Sequence, residues 1–131
     1  MLIVDASCLY AVVSDSHAAE PIRARLASDA EHAAPHVIDV EVVGIIRRDH
    51  LRGLLDGTAA SQAVDDLRAW PGERFGHRPF LDRTWELRAH VRVWDAMYVA
   101  LAEAFQATLL TLDGRLARAP GLRCDVEVPG V

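Results

Sequence analysis

The chain has 131 residues and a formal net charge of −5, long enough for one hydrophobic core but of the wrong overall sign for a protein that grips nucleic acid through a general basic surface. Apolar residues make up 51% and charged residues 25% of it, an ordinary globular balance, and no apolar run reaches the roughly 18 residues of a membrane span. Cys8 and Cys124 form neither a disulfide framework nor metal-ligand spacing, and no signal-peptide pattern opens the chain, so a reducing cytoplasmic setting is expected.

Residues 1–5, Met-Leu-Ile-Val-Asp, read as a buried strand ending in a carboxylate. Ala6 to Val13 reads as a helix with Ser7 as its N-cap, and Cys8 within it as a small buried hydrophobe. Residues 18–29 form a second helix, amphipathic through Ile22 and Leu26, and residues 31–34 a brief strand before Pro35. Val37 to Leu51 is a long helix stopped at Gly53. Residues 58–70 are a fourth helix, capped by Thr58 and ended by Pro71-Gly72. Glu73 to Phe75 reads as a short strand and residues 81–90 as a fifth helix.

The most informative stretch follows. Residues 94–104 are apolar on nearly every side, with only Asp95 and Glu103 charged, as in a helix enclosed by protein. Residues 108–112, Thr-Leu-Leu-Thr-Leu, read as a strand covered on both faces, broken by Asp113-Gly114. Residues 126–128 make a last edge strand. Strands alternating with helices imply an α/β fold with a largely parallel sheet.

In such sheets ligands bind beyond the carboxyl ends of the strands. Asp5 ends the first strand and Asp113 follows the fourth, so both are expected at that edge. Asp95 lies in the first turn of the helix feeding the latter strand, where free backbone N–H groups favour a negative charge. Glu41 stands among Val37, Ile38, Gly44 and Ile45 on its helix, an apolar setting that an unpaired carboxylate tolerates poorly. Asp39 lies about 160° round the same helix at 100° per residue, and periodicity does not decide which of the two faces a site. Each acid also has an ordinary structural role open to it: Asp5 and Asp95 as helix caps, Asp113 in a turn, Glu41 paired with Arg48 or Arg52. Convergent carboxylates would need a counter-charge, for which Mg²⁺ or Mn²⁺ is the natural choice. All 14 basic residues are arginine; Arg115 and Arg118, just past Asp113, either bind flanking phosphates or solvate that face. His36, His77 and His90 read as surface or packing residues.

The sequences LIVDAS at 2–7, EVVGIIRR at 41–48, WDAMYVALAEA at 94–104 and LLTLDGRLA at 109–117 together, and in this order, resemble the PIN-domain family, in particular the small prokaryotic toxin ribonucleases of the VapC type. The resemblance covers essentially the full length. It implies a PIN-like three-layer α/β/α fold with a central, mostly parallel sheet, built by residues 1–131 as a single domain. It also implies a Mg²⁺ or Mn²⁺ site, cleavage of RNA, a cognate antitoxin and a homodimer, with no membrane association. Position by position, the family's four acids, catalytic and metal-holding, fall on Asp5, Glu41, Asp95 and Asp113, which selects Glu41 over Asp39. Ser7 and Thr111 fall where the family often places a hydroxyl beside the acids. A non-hydrolytic, receiver-like Mg²⁺-binding module is the alternative, but receivers use a lysine beside the acidic pocket and this chain has none. A metal-dependent phosphatase would favour Asp-x-Asp after the first strand, where this chain has Asp5-Ala6-Ser7. The helices at Ala6–Val13, 18–29 and Val37–Leu51 are expected to leave an apolar groove for an amphipathic antitoxin helix.

Overall fold

The structure, a computed structural model, describes residues 1–130. Five strands form one sheet: β1 (Leu2–Val4), β2 (His32–Pro35), β3 (Glu73–Phe75), β4 (Thr108–Leu110) and β5 (Val126–Glu127), in the order β3-β2-β1-β4-β5. Every pairing is parallel; Leu2, Ile3 and Val4 lie opposite Thr108, Leu109 and Leu110, while Leu2 and Ile3 lie opposite His32 and Ala33. Each parallel neighbour needs a crossover, and seven helices supply them: α1 (Ala6–Val13), α2 (Ala19–Ala27), α3 (Val37–Leu51), α4 (Gly57–Ala69), α5 (Leu81–Glu86), α6 (Val93–Ala104) and α7 (Gly114–Ala117). α1 packs against α2, α3 and α4; α6 packs against α5 and lies across β1, β2 and β4. Helices thus flank the sheet, the layered α/β/α arrangement expected.

β1 and β4 are apolar because they are covered on both faces: Leu2, Ile3, Val4, Leu109 and Leu110 are buried. From Ala96 to Ala102 α6 is buried without interruption, with Leu101 and Val99 fully enclosed; truncating Leu101 to Ala there would cost about 2–5 kcal/mol. The enclosure starts two residues later than the sequence suggested, since Trp94 is more than half exposed and Asp95 half-buried. β1 sits at the point where the strand order reverses. Successive connections leave it on one side toward β2 and reach β4 on the other, so their carboxyl ends diverge around a crevice.

Several boundaries differ from expectation for local reasons. Asp5, not Ser7, caps α1: its carboxylate accepts from the Cys8 N–H at 3.0 Å. Asp56, not Thr58, caps α4, accepting from the Ala59 N–H at 2.7 Å. A carboxylate two residues upstream out-competes a hydroxyl because it brings charge to the free N–H groups. The fifth helix is shorter than predicted; Leu81–Glu86 continues only as a 3-10 turn, Leu87–Ala89. Gly53 ends the α3 region with φ +77°, a left-handed conformation that glycine adopts without strain.

α1 and α2 turn most of their apolar residues inward, and leave only a small groove of about 250 Å³ lined by Leu9, Val12 and Val13 with Arg23 and Trp70. Cys8, Leu9, Ala11 and Val13 of α1 and Ile22 of α2 are all buried. Of α1, α2 and α3, it is α3 that carries the exposed large apolar residues, Val40, Val43 and Leu51, with Leu54 just beyond it; Leu81, Trp85, Val93, Trp94 and Phe105 are exposed elsewhere. Among the described residues no helix is long and apolar enough to cross a membrane.

Candidate active site

Asp5 leaves β1 directly into the crevice. It is buried, its N–H donates to the Leu110 carbonyl at 3.1 Å, and its carbonyl receives the Leu9 N–H at 3.1 Å. Oδ1 of the side chain receives both the Ser7 hydroxyl and the Cys8 N–H. Ser7 is a bridge, because its oxygen also accepts the Leu112 N–H at 3.0 Å, which ties the end of β1 to the segment after β4. Thr111 is fully buried between the two, and its hydroxyl accepts the Asp113 N–H at 3.0 Å. Both hydroxyls singled out from the sequence therefore hold the polypeptide on which Asp5 and Asp113 sit.

Glu41 and Asp39 point to different surroundings. Glu41 accepts the Tyr98 hydroxyl at 2.8 Å and lies close enough to Asp5 and Asp95 to feel both charges. Asp39 instead takes two bonds from Arg74, at 2.9 and 3.3 Å. Neither Arg48 nor Arg52 pairs with Glu41; Arg48 binds its neighbour Asp49 at 3.1 Å. Asp95, in the first turn of α6, is paired with the mostly exposed Arg92 at 3.2 Å. Asp113 caps α7 by accepting the Arg115 N–H at 2.9 Å. Asp95 and Asp113 both line a cleft of about 490 Å³ whose walls include Arg92, Arg115 and His90. Arg118 does not line that cleft; its guanidinium lies over Gly114.

A family model for the PIN domain matches residues 2–122. The chain is a member of the PIN-domain family. Ribonuclease VapC1 of Mycobacterium tuberculosis is 36% identical over 127 residues, covering 96% of each chain. Among solved structures, PAE2754 from Pyrobaculum aerophilum superposes with a TM-score of 0.69 at 20% identity, over 95% of this chain and 81% of that one. VapBC2 from Rickettsia felis, solved bound to a DNA fragment from its promoter, gives a TM-score of 0.67 at 15% identity, over 97% of this chain and 98% of that one.

The electrostatics of this PIN domain are those of an under-compensated acidic cluster. Burial pushes the Asp5 carboxyl up, and Asp95 adds to the effect, against the Ser7, Thr111 and Cys8 hydrogen bonds that favour its charged form. Burial also pushes Glu41 up, followed by the charges of Asp5 and Asp95, with Tyr98 opposing. Arg92 is the counter-charge the chain itself provides; hydrogen bonding to Asp95, then the charges of Asp113 and Glu41, hold its proton more firmly. Among the described residues no three His, Cys, Asp or Glu side chains already converge as a closed metal site. In kind the donors nonetheless fit a divalent cation: they are carboxylate oxygens, suited to a hard ion, and two of them are burdened by the like charge that an ion would relieve.

Two site residues escaped the sequence reading. Tyr98 and Arg92 lie three residues after and before Asp95, so each neighbours Asp95 at helical spacing. That spacing was the available signal. What hid it was the partner of Tyr98, Glu41, which is 57 residues away.

Proposed function

We propose that this PIN domain, acting as one unit over residues 1–131, is an endoribonuclease toxin of the VapC type that depends on Mg²⁺ or Mn²⁺ and is silenced by a cognate antitoxin. What supports the reading is that Asp5, at the strand-order reversal of a parallel sheet, Glu41 and Asp95 lie near enough for the charges of Asp5 and Asp95 to raise the Glu41 carboxyl, and that Asp95 shares a cleft with Asp113. The ribonuclease names of its relatives support it.

In this reading Asp5, Glu41, Asp95 and Asp113 hold the cation, whose charge, when it is bound, stabilises negative charge developing on the phosphodiester. The chain's own groups prepare the site for it. Ser7 and the Cys8 N–H fix Oδ1 of Asp5. Tyr98 fixes Oε1 of Glu41. Burial and the adjacent Glu41 raise the Tyr98 hydroxyl far above its ordinary range, so it stays a donor and never competes as an anion. Asp95 or Asp113 accepts the proton of an attacking water in this reading. Arg115 on the cleft wall meets flanking phosphate, a role the position of Arg118 supports less.

The antitoxin face in this reading runs along α3 and α4, not α1 and α2. A groove of about 530 Å³ there is lined by Val43, Ile46, Leu51, Ala60 and Val64, with Arg47 beside them. An amphipathic helix laid in it would bury its apolar stripe. A homodimer is part of the proposal.

The test uses the whole chain, a labelled RNA and Mn²⁺. Cleavage is expected with wild type, abolished by excess EDTA and by Glu41→Gln, whose Mn²⁺ binding by calorimetry should fall with it. Undiminished cleavage in EDTA would overturn the metal dependence, and wild-type Mn²⁺ binding by Glu41→Gln would overturn its role.

A further inference from the structure

One turn toward the N-terminus from the Tyr98–Glu41 contact, α3 and α6 enclose a smaller cleft of about 290 Å³ lined by Val37, His77, Val93, Trp94 and Met97. Val37 precedes Glu41 by four residues and Trp94 precedes Tyr98 by four. The cleft and the Tyr98–Glu41 contact thus lie on neighbouring positions of the same side of each helix, about 6 Å apart along them. The His77 ring is fixed as a wall, with Nε2 accepting the Val37 N–H at 3.2 Å. Trp94 is 52% exposed, although the helix it opens is buried from Ala96 to Ala102. An indole left half in water beside an acid contributes little to the core of this fold.

Electrostatics select what the cleft can hold. The net charge is −5, and the cleft beside Asp95 and Asp113 has only Arg92 and Arg115 to offset them. A polyanionic backbone approaching here gains little from charge, so adhesion has to come from an uncharged part of the substrate. A nucleobase is such a part: single-stranded RNA is held largely by bases stacked on aromatic side chains. The cleft presents an indole, a thioether and an imidazole in that role. Val43, in the exposed apolar groove of α3, lies about 120° round the helix from Val37 at 100° per residue, with the exposed Val40 between them.

We propose that the cleft formed by Val37, His77, Trp94 and Met97 binds the base of an RNA nucleotide next to the scissile bond, with Trp94 as its stacking platform. The subsite rests on the ribonuclease reading and adds to it a means of holding substrate that does not depend on charge.

The test compares short fluorescein-labelled oligoadenylate and oligouridylate with an abasic ribose-phosphate oligomer of equal length, by fluorescence anisotropy in EDTA so that nothing is cut. Wild type should favour the base-bearing oligomers by about tenfold. Trp94→Ala should bind all three alike, and Trp94→Phe should keep most of the preference. A base preference unchanged in Trp94→Ala, or absent from wild type, overturns the subsite. Sedimentation of the same samples separates the other occupant: if Trp94→Ala changes only the oligomeric state and keeps the base preference, the cleft is an interface between copies and the proposal fails. Cleavage assays with Mn²⁺ keep the two readings apart. RNA left intact by wild type sinks the ribonuclease reading, whereas cleavage alongside Trp94-independent binding sinks the subsite alone.

Discussion

The Tyr98 hydroxyl donates to Oε1 of Glu41 at 2.8 Å, joining α6 to α3 across the carboxyl edge of the sheet. A buried phenol that spends its donor on a carboxylate keeps that carboxylate oriented and favours its charge. Tyr98→Phe removes the bond and little else. RNA cleavage should fall by about 10–100-fold, as when a group supporting a metal-holding side chain is lost. Stability should change by only about 1 kcal/mol. Cleavage kinetics beside a thermal melt check both numbers; full activity in Tyr98→Phe would mean that Glu41 needs no support.

Arg92 competes with any cation for the same acids. It is mostly exposed, so its pair with Asp95 adds little stability, within about 0.5 kcal/mol. Arg92→Ala should therefore leave the melting temperature nearly unchanged and tighten Mn²⁺ binding about fivefold, the effect of one charge at contact distance near water. Calorimetric titration gives the answer, and weaker binding in the variant would show that Arg92 helps to build the site.

Asp39 serves stability. Its partner Arg74 is largely buried and also donates to the carbonyls of Leu67, Trp70 and Gly72 at 2.7–3.0 Å, so it clamps the end of α4 to the start of α3. Asp39→Asn should cost about 1 kcal/mol and leave cleavage within about twofold of wild type, since no bond from the site is touched. Loss of cleavage without loss of stability would reverse the assignment of Asp39 and Glu41.

The raised pKa of Asp5 fixes a sign. In the metal-free protein the folded state holds this proton more firmly than the unfolded chain does. The folded state thus binds more protons, and the Asp5 contribution to stability falls as pH rises from its ordinary value of 3.8 through the folded value. Asp49 and Glu103, both lowered by hydrogen bonds from their partners, act in the opposite direction. The informative quantity is a difference: the melting temperature of Asp5→Asn minus that of wild type, in EDTA, should grow by a few degrees from pH 4 to pH 8. A flat or falling difference would mean that Asp5 is not strained by its surroundings.

Much of this was legible in the sequence because it is written in local patterns. The bounds of α1 and α3 follow from their periodicity, and the unbroken apolar character of β1, β4 and the middle of α6 reports cover on both sides. Asp5 and Asp113 could be placed at one edge because each follows the end of a strand; Asp95, at the start of a helix, could not be placed there from sequence alone. Glu41 could not be separated from Asp39 by the same means. Both occupy one helix, and what distinguishes them is Arg74 for one and Tyr98 for the other, partners brought close only by the fold. The caps at Asp5 and Asp56 were misread for a related reason: Ser7 and Thr58 are good caps in isolation, and the choice went to a carboxylate already aimed at the same N–H groups.

The cap on α1 also has a consequence for genetics. Asp5 both seals the first helix and enters the acidic crevice, so a survivor carrying Asp5→Ala in a selection for harmless alleles would be ambiguous. It loses a cap worth about 1 kcal/mol together with the charge, and a poorly accumulating protein and an intact but inert one give the same colony. Asparagine at that position still caps the helix. An allelic series of alanine and asparagine at residue 5, read against protein abundance, would tell dosage apart from chemistry.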